Sequence, residues 1–339
     1  MIRYGIIGYG DAGMVHQKVI SRLSNIAELT AIYDIDENKK EMIENKLNGV
    51  FAVDNINQLL KYVDAVSICT PHNTHYKLAE ELLLNGKDVL IEKPVAIKLD
   101  DAQKLAYIAQ QENRVTATIF QHRYEPVNVW IKEHLDLGKL GDLLSISVQI
   151  KWSKHSNYYD SWKGKLDEAG GGVLINQAIH FIDLANWFGD GIKEVYTNNI
   201  QHRSIEVEDN AIVSLKFKSD AIGLIDASTS AQKHIGTTVE IVGTKDTIKT
   251  YEGRILAWTS KSDNDIVNMN AHIASIDAET WGKKYFGHGH IYQIEEFVKR
   301  CIDRMPPQIG VLEGAKTLAV VLSMYESMRL KQPVKVNYL

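Results

Sequence analysis

Apolar and polar positions divide the chain into two textures. Through about residue 120, short apolar runs alternate with amphipathic segments. Residues 4–7, 29–33, 65–69, 88–91 and 115–120 are apolar enough, without alternation, to predict strands buried on both faces. Between them, 79–85 and 101–111 carry helical spacing, and Gly86 stands where a C-terminal glycine ends a helix. Strands and helices in this order imply right-handed crossovers and an open parallel sheet. Beyond residue 120 a helix-like stretch, 126–137, leads to an alternating strand at 144–152. A polar loop dense in aromatics follows at 153–165, then Gly170-Gly171-Gly172 and an apolar helix at 173–188. Strands are predicted at 195–200, 211–217, 221–228, 238–242 and 247–251, the last two joined by the turn Gly243-Thr244-Lys245-Asp246. Helices at 292–304 and 312–329 close the chain.

The fold class expected is therefore α/β. A doubly wound parallel sheet occupies residues 1–121, and an α/β domain with a large, mostly antiparallel open sheet occupies 122–339. The helix at 312–329 is a candidate to pack back on the first domain. At 339 residues the chain exceeds one ordinary core, which agrees with two domains. It is 45% hydrophobic and 24% charged, which argues against long disorder. The net charge of −5, with no dense basic stretch, counts against nucleic acid as a partner. The first residues run directly into a strand and leave no room for a secretory signal. No apolar run approaches the ~20 residues that span a bilayer, so the expected compartment is the cytoplasm and no membrane partner is expected. Cys69 and Cys301 have no metal-type spacing and form no disulfide framework, and Cys69, within an apolar run, reads as a buried inert thiol.

Candidate chemistry begins at Gly8-Tyr9-Gly10-Asp11-Ala12-Gly13, directly after the first strand and before a helix. Gly8 permits the tight turn, Gly10 clears the approach of a pyrophosphate, and Gly13 lets helix and strand come close. The helix N-terminus then offers amides and positive potential to phosphates. Asp34 closes the second strand where an acid would hydrogen-bond the adenosine ribose, and its charge would repel a 2′-phosphate. NAD is therefore expected, with NADP disfavoured. Ser67-Ile68-Cys69-Thr70-Pro71-His72-Asn73-Thr74-His75 ends a buried strand in polar residues, at the edge where doubly wound sheets bind ligands. Glu92-Lys93-Pro94 follows the next strand, and a lysine there can orient a hydroxyl or, if desolvated, act as a base. His288-Gly289-His290 looks at first like a metal-ligand pair, but no third ligand is evident in the sequence, and no metal is expected.

These segments, with Gly170-Gly171-Gly172-Val173-Leu174, His180 and Asp183, resemble the Gfo/Idh/MocA oxidoreductases, the glucose–fructose oxidoreductase and inositol dehydrogenase superfamily. The resemblance covers nearly the whole chain. It implies a Rossmann domain, a second domain with a large open sheet, and a sugar, nucleotide sugar or cyclitol as substrate. It also implies pairing as a homodimer or homotetramer. Lys93 matches the family's catalytic lysine, and His180 the histidine that contacts the reacting hydroxyl. Asp183 matches an acid one helical turn later, on the same face as His180. By the same likeness Tyr9, Asp11, Ala12, Cys69, Thr70, Pro71, Asn73, His75, Glu92, Gln121 and Trp162 join the glycines and Asp34 around the cofactor. Asn176, Arg123, Tyr159 and Lys163 join Asp183 at the substrate. Arg123 reads equally as a bidentate clamp for an anion or as an interdomain salt-bridge residue.

One position departs from the pattern. Many members carry an acid four residues before the histidine, and this chain has Asn176. An amide cannot take and release a proton as a carboxylate does, which leaves Lys93 or His180 as the base. Asn176-Gln177-Ala178-Ile179-His180 is similar to the branch with UDP-N-acetylglucosamine and UDP-glucuronate-type 3-dehydrogenases. A dinucleotide-binding sensor acting on a partner protein is the alternative from another class.

Overall fold

The computed structural model describes residues 1–276 and 288–338, which gather into two compact units. The first comprises Met1–Gln121 and the described part of Thr280–Ala315. Its elements run β1 (Ile2–Ile7), α1 (Asp11–Arg22), β2 (Ala27–Tyr33), α2 (Glu37–Lys46), β3 (Phe51–Val53), α3 (Ile56–Leu59), β4 (Ala65–Ile68), α4 (His75–Leu84), β5 (Asp88–Ile91), α5 (Leu99–Gln111) and β6 (Thr116–Thr118). The six strands are all parallel, in the order β3-β2-β1-β4-β5-β6. Every residue of β4 and β5 is buried, as their unbroken apolar character requires. The order reverses between β1 and β4, which opens a crevice at the carboxyl ends of those two strands. The short β3 and the polar α2 escape a reading by periodicity, because α2 buries only Ile43.

A single boundary at residue 121 places the helix after residue 288 in the second domain, and the structure corrects this. Helix α11 (Gly289–Asp303) belongs to the first unit. Its Ile294, Phe297, Val298 and Cys301 share one core with Tyr4 of β1 and Val15, Val19 and Ile20 of α1. The Phe297 ring stands edge-on to that of Tyr4, with centroids 6.4 Å apart. Gly289 is needed at the helix start, since a Cβ there would lie 1.8 Å from the Gln121 carbonyl oxygen.

The second unit holds the described residues of His122–Glu279 and Lys316–Tyr338. Its helices are α6 (Pro126–Asp136), α7 (Leu166–Ala169), α8 (Val173–Asn176), α9 (Ile179–Phe188) and α10 (Asp263–Ile276), with most of α12 (Val311–Leu330). Its strands are β7 (Leu143–Lys151), β8 (Ile192–Ile200), β9 (Asn210–Phe217), β10 (Ile222–Ser228), β11 (Gly236–Gly243), β12 (Thr247–Tyr251), β13 (Arg254–Trp258) and β14 (Val334–Lys335). They form one sheet in the order β13-β12-β11-β7-β10-β9-β8-β14, antiparallel except for the β7–β10 pair. Along β9, Ala211, Val213, Leu215 and Phe217 are buried while Ile212, Ser214 and Lys216 are exposed, so one face is packed and the other open.

The predicted helix 173–188 is two helices. The Ala178 amide donates to the Val173 carbonyl five residues back (2.8 Å), which widens the turn at Gln177 and restarts the helix at Ile179. Glu208, distant in sequence, caps the first piece. Its carboxylate accepts from the amides of Gly172 (2.8 Å) and Leu174 (3.0 Å), and its carbonyl accepts from Val173 (2.8 Å). Gly172 has no room for a side chain there, because a Cβ would lie 1.9 Å from the Glu208 carbonyl oxygen.

Candidate active site

In the first unit the glycine turn has the geometry that a dinucleotide requires. Gly8 adopts φ +89°, and a Cβ on it would lie 2.6 Å from the Cys69 carbonyl oxygen. A Cβ on Gly13 would lie 2.1 Å from the Gly8 carbonyl oxygen, so helix α1 and strand β1 meet backbone to backbone. A Cβ on the exposed Gly10, by contrast, would have no neighbour within 4 Å. The turn is tight on its inner side and open on its outer side, where α1 begins without a side-chain cap from Gly10. Asp34 lies beside it: its carboxylate accepts from the amides of Tyr9 (2.6 Å) and Asp36 (2.9 Å), and Gly8 donates to the Tyr33 carbonyl (2.9 Å). Asp11 is exposed and Ala12 half-buried in the first turn of α1. This donor set fits NAD.

The segment after β4 forms the other bank of the crevice. Thr70 and Thr74 hydroxyls lie 2.6 Å apart, Thr74 donates to the Pro71 carbonyl (2.7 Å), and Asn73 is exposed. Burial pushes the Cys69 thiol well up, with the Glu92 charge adding to the effect, so it stays protonated. His75 is buried between two backbone carbonyls, its Nδ1 2.8 Å from Pro94 and its Nε2 2.9 Å from Thr70. One strand over, the Glu92 amide donates to the Ile68 carbonyl (3.0 Å), the last rung of the β4–β5 ladder. Lys93 therefore leaves the sheet at its carboxyl edge, half-buried, and joins Pro94 through a cis bond.

Glu92, expected beside the cofactor, is buried. Its Oε1 lies 3.2 Å from His16 Nε2 and 3.6 Å from His290 Nε2. Burial opposes its charge, but the hydrogen bonds from His16 and His290 outweigh it and hold the carboxyl well below the usual range. The sequence offered the His288–His290 pair no further ligand; the fold brings His16 and Glu92 to His290 instead. Gln121 is buried in the short turn Gln121–Tyr124.

In the second unit His180 and Asp183 both lie on α9, one turn apart, while Asn176 ends α8. Asp183 and Arg123, both expected at the substrate, are paired with each other. Asp183 is 1% exposed, and its two oxygens accept from Arg123 Nε and Nη2 at 2.7 Å each and from the Thr317 hydroxyl at 2.6 Å. This buried bidentate pair ties Arg123 to α9 and, through Thr317, to α12 within the second unit. Tyr159 is likewise buried, its hydroxyl 2.5 Å from that of Thr229 and its ring under the Arg203 guanidinium.

His180 has a ring partner that the sequence did not mark. The His122 ring stands edge-on to that of His180, with centroids 5.1 Å apart. His122 Nδ1 lies 2.7 Å from Glu125 Oε1; burial works against its charge, yet Glu125 outweighs that and raises its pKa. Gln177 donates to the Tyr158 hydroxyl (2.8 Å). Lys154 and Lys163 both approach the Tyr158 ring, each 5.1 Å from its centroid, and Lys163 also lies 4.8 Å from the Trp162 ring. The density of aromatics in 153–165 was the sequence signal for Tyr158, Trp162 and Lys163.

A doubly wound sheet with an open glycine turn, an acid ending β2 and a lysine at the carboxyl edge of β5 defines a dinucleotide-dependent oxidoreductase. The comparisons give the family. Residues 2–120 match the Gfo/Idh/MocA oxidoreductase family, NAD-binding Rossmann fold, and residues 129–249 match the C-terminal domain of the same family. The chain belongs to the Gfo/Idh/MocA family; it is an oxidoreductase, and its cofactor is NAD. It is 25% identical to the myo-inositol 2-dehydrogenase of Thermotoga maritima, over 99% of each chain. It is 21% identical to the scyllo-inositol 2-dehydrogenase (NAD(+)) of Bacillus subtilis, over 99% of this chain and 96% of that one. In fold it is similar to the WlbA dehydrogenase of Bordetella pertussis, solved with NADH and UDP-GlcNAcA, with a TM-score of 0.90 at 24% identity over 99% of this chain and 98% of that one.

Proposed function

We propose that the chain oxidises a secondary alcohol of a cyclitol or sugar, with Lys93 as the base and His180 as the residue that holds the reacting oxygen. The observation that carries this reading is the release of Lys93 from β5 at the carboxyl edge of the nucleotide-binding sheet, two strands from the glycine turn. The two inositol dehydrogenases matched over nearly their full length support the substrate class. NAD, when bound, supplies the acceptor for the hydride that leaves the alcohol carbon with its electron pair. The Lys93 amine, in its neutral form, takes the hydroxyl proton. The His180 imidazole donates to the same oxygen and stabilises its developing charge. Asn176 orients but moves no proton. The test is Lys93→Met, assayed for NADH formation with inositols and hexoses: NAD affinity is retained while kcat falls at least ~10³-fold, about the upper range of general-base catalysis. Turnover near that of the wild type would remove Lys93 from the mechanism.

The pair of lysines around Tyr158 and Trp162 favours a second reading, a sugar carrying an anionic group such as a phosphate or nucleotide. Lys163 and Trp162 then meet the anion and its attached ring. Thermal-shift screening with NAD present, comparing inositols, hexoses, hexose phosphates and UDP-sugars, separates the two. A cytoplasmic homodimer or homotetramer completes the proposal. On the open face of the eight-stranded sheet Ile212, Ile222 and Leu224 are 51%, 64% and 38% exposed, an apolar surface that pairing would cover. Light scattering on the purified protein tests it.

A further inference from the structure

Five polar side chains from separate segments form one buried chain that reaches the Lys93 backbone amide. The Tyr4 hydroxyl lies 2.7 Å from Ser67 Oγ, and Ser67 Oγ lies 2.7 Å from His16 Nδ1. His16 Nε2 then lies 3.2 Å from Glu92 Oε1, and His290 Nε2 approaches the same oxygen at 3.6 Å. The other carboxylate oxygen, Oε2, accepts from the Lys93 backbone amide at 3.3 Å. Tyr4, His16 and Ser67 are fully buried, His290 is 1% exposed and Glu92 8%.

The direction of the chain follows from its end. A carboxylate only accepts, so His16 carries its proton on Nε2 and leaves Nδ1 to accept from Ser67, which accepts in turn from Tyr4. Burying a carboxylate costs free energy that an apolar residue would not, so stability alone does not account for Glu92. Its conformation does one further thing: it anchors the Lys93 amide. On the other side His75 Nδ1 reaches the Pro94 carbonyl (2.8 Å) and its Nε2 reaches Thr70 (2.9 Å). The backbone of the Lys93–Pro94 turn is thus held at its first amide and its last carbonyl, and the second hold ties it to the segment after β4.

We propose that the His16–Glu92–His290 cluster is a positioning device for Lys93: it sets the course of the backbone that presents the amine and keeps a fixed negative charge one residue away from it. The proposal rests on the reading of Lys93 as the base. The titratable groups around Glu92 are His16 from α1, His290 from α11, Cys69 and His75 from the segment after β4, and Lys93 itself.

The experiment compares Glu92→Gln, His290→Asn and Lys93→Met with the wild type, measuring NAD affinity by fluorescence titration, kcat and KM, the pH profile of kcat/KM, and bound metal. Glu92→Gln is expected to keep NAD affinity and KM within about threefold and to lower kcat by at least ~10-fold. It should also move the acid limb of the profile to lower pH, because removing a nearby negative charge lowers the pKa of an amine. His290→Asn moves both quantities the same way by less, and it carries the test if Glu92→Gln does not fold. An unchanged kcat and limb in a folded variant, beside an inactive Lys93→Met, overturns the cluster's role and leaves the reading of Lys93 intact. An active Lys93→Met overturns that reading itself. The three ligand-type atoms lie within 4.8 Å of one another, so one equivalent of tightly held metal in the purified protein would also overturn the proposal, replacing the hydrogen-bonded chain with a metal site.

Discussion

Replacing Asp183 with asparagine removes one charge from a pair that water scarcely reaches. The Arg123 side chain is 7% exposed and that of Asp183 1%, and the guanidinium makes two parallel contacts of 2.7 Å to the carboxylate. An exposed pair of this kind would contribute ~0–1 kcal/mol. Here the amide presents one acceptor and one donor where Arg123 and Thr317 need acceptors, so a buried guanidinium loses its counter-charge. Breaking a buried pair in this way costs about 3–5 kcal/mol, and that is the expected loss for Asp183→Asn. Urea unfolding measures it, and Trp187, whose ring lies 5.4 Å from the Arg123 guanidinium carbon, is a fluorescent reporter inside the affected region. The double variant Arg123→Met with Asp183→Leu should recover most of the loss, because it leaves neither charge unpaired. A loss below ~1 kcal/mol for Asp183→Asn, or additive effects in the double variant, would refute the argument that burial makes this pair structural.

Two glycines of the turn should behave differently. Gly10→Ala adds a methyl into open space, so the protein folds normally while the Kd for NAD rises at least ~10-fold, read by fluorescence titration. Gly13→Ala places a methyl against the Gly8 carbonyl and is expected to lower stability itself by ~1–3 kcal/mol, seen in urea unfolding without cofactor. The raised pKa of His122 carries a pH signature. Its pairing with Glu125 contributes stability that is complete below the ordinary histidine value of about 6.5 and is lost as pH rises through the higher folded value. The stability gap between wild type and Glu125→Gln should therefore be wider at about pH 6 than at about pH 8.5, and a gap independent of pH would contradict the pairing.

Features that depend on neighbours in sequence were legible in the sequence. The glycine turn, Asp34 after β2 and Lys93 after β5 are each a strand followed by a short segment, and unbroken apolar runs placed those strands. The run of strands with short links beyond residue 194 likewise announced a mostly antiparallel sheet, and His180 and Asp183 share a helix because they are three residues apart. What the sequence left open was set by pairings across long separations. Glu92 reads as a polar residue beside a lysine; only the fold brings to it His16, 76 positions away, and His290 from a helix that returns to the first unit. Asp183 reads as an acid poised for substrate until Arg123, 60 positions earlier, and Thr317 are found against it. The helix over 173–188 divides at Gln177, and Glu208, from just before β9, caps its first piece. The common reason is burial. A polar side chain withdrawn from water must find a partner inside, and which partner it finds depends on packing between segments that local periodicity does not encode.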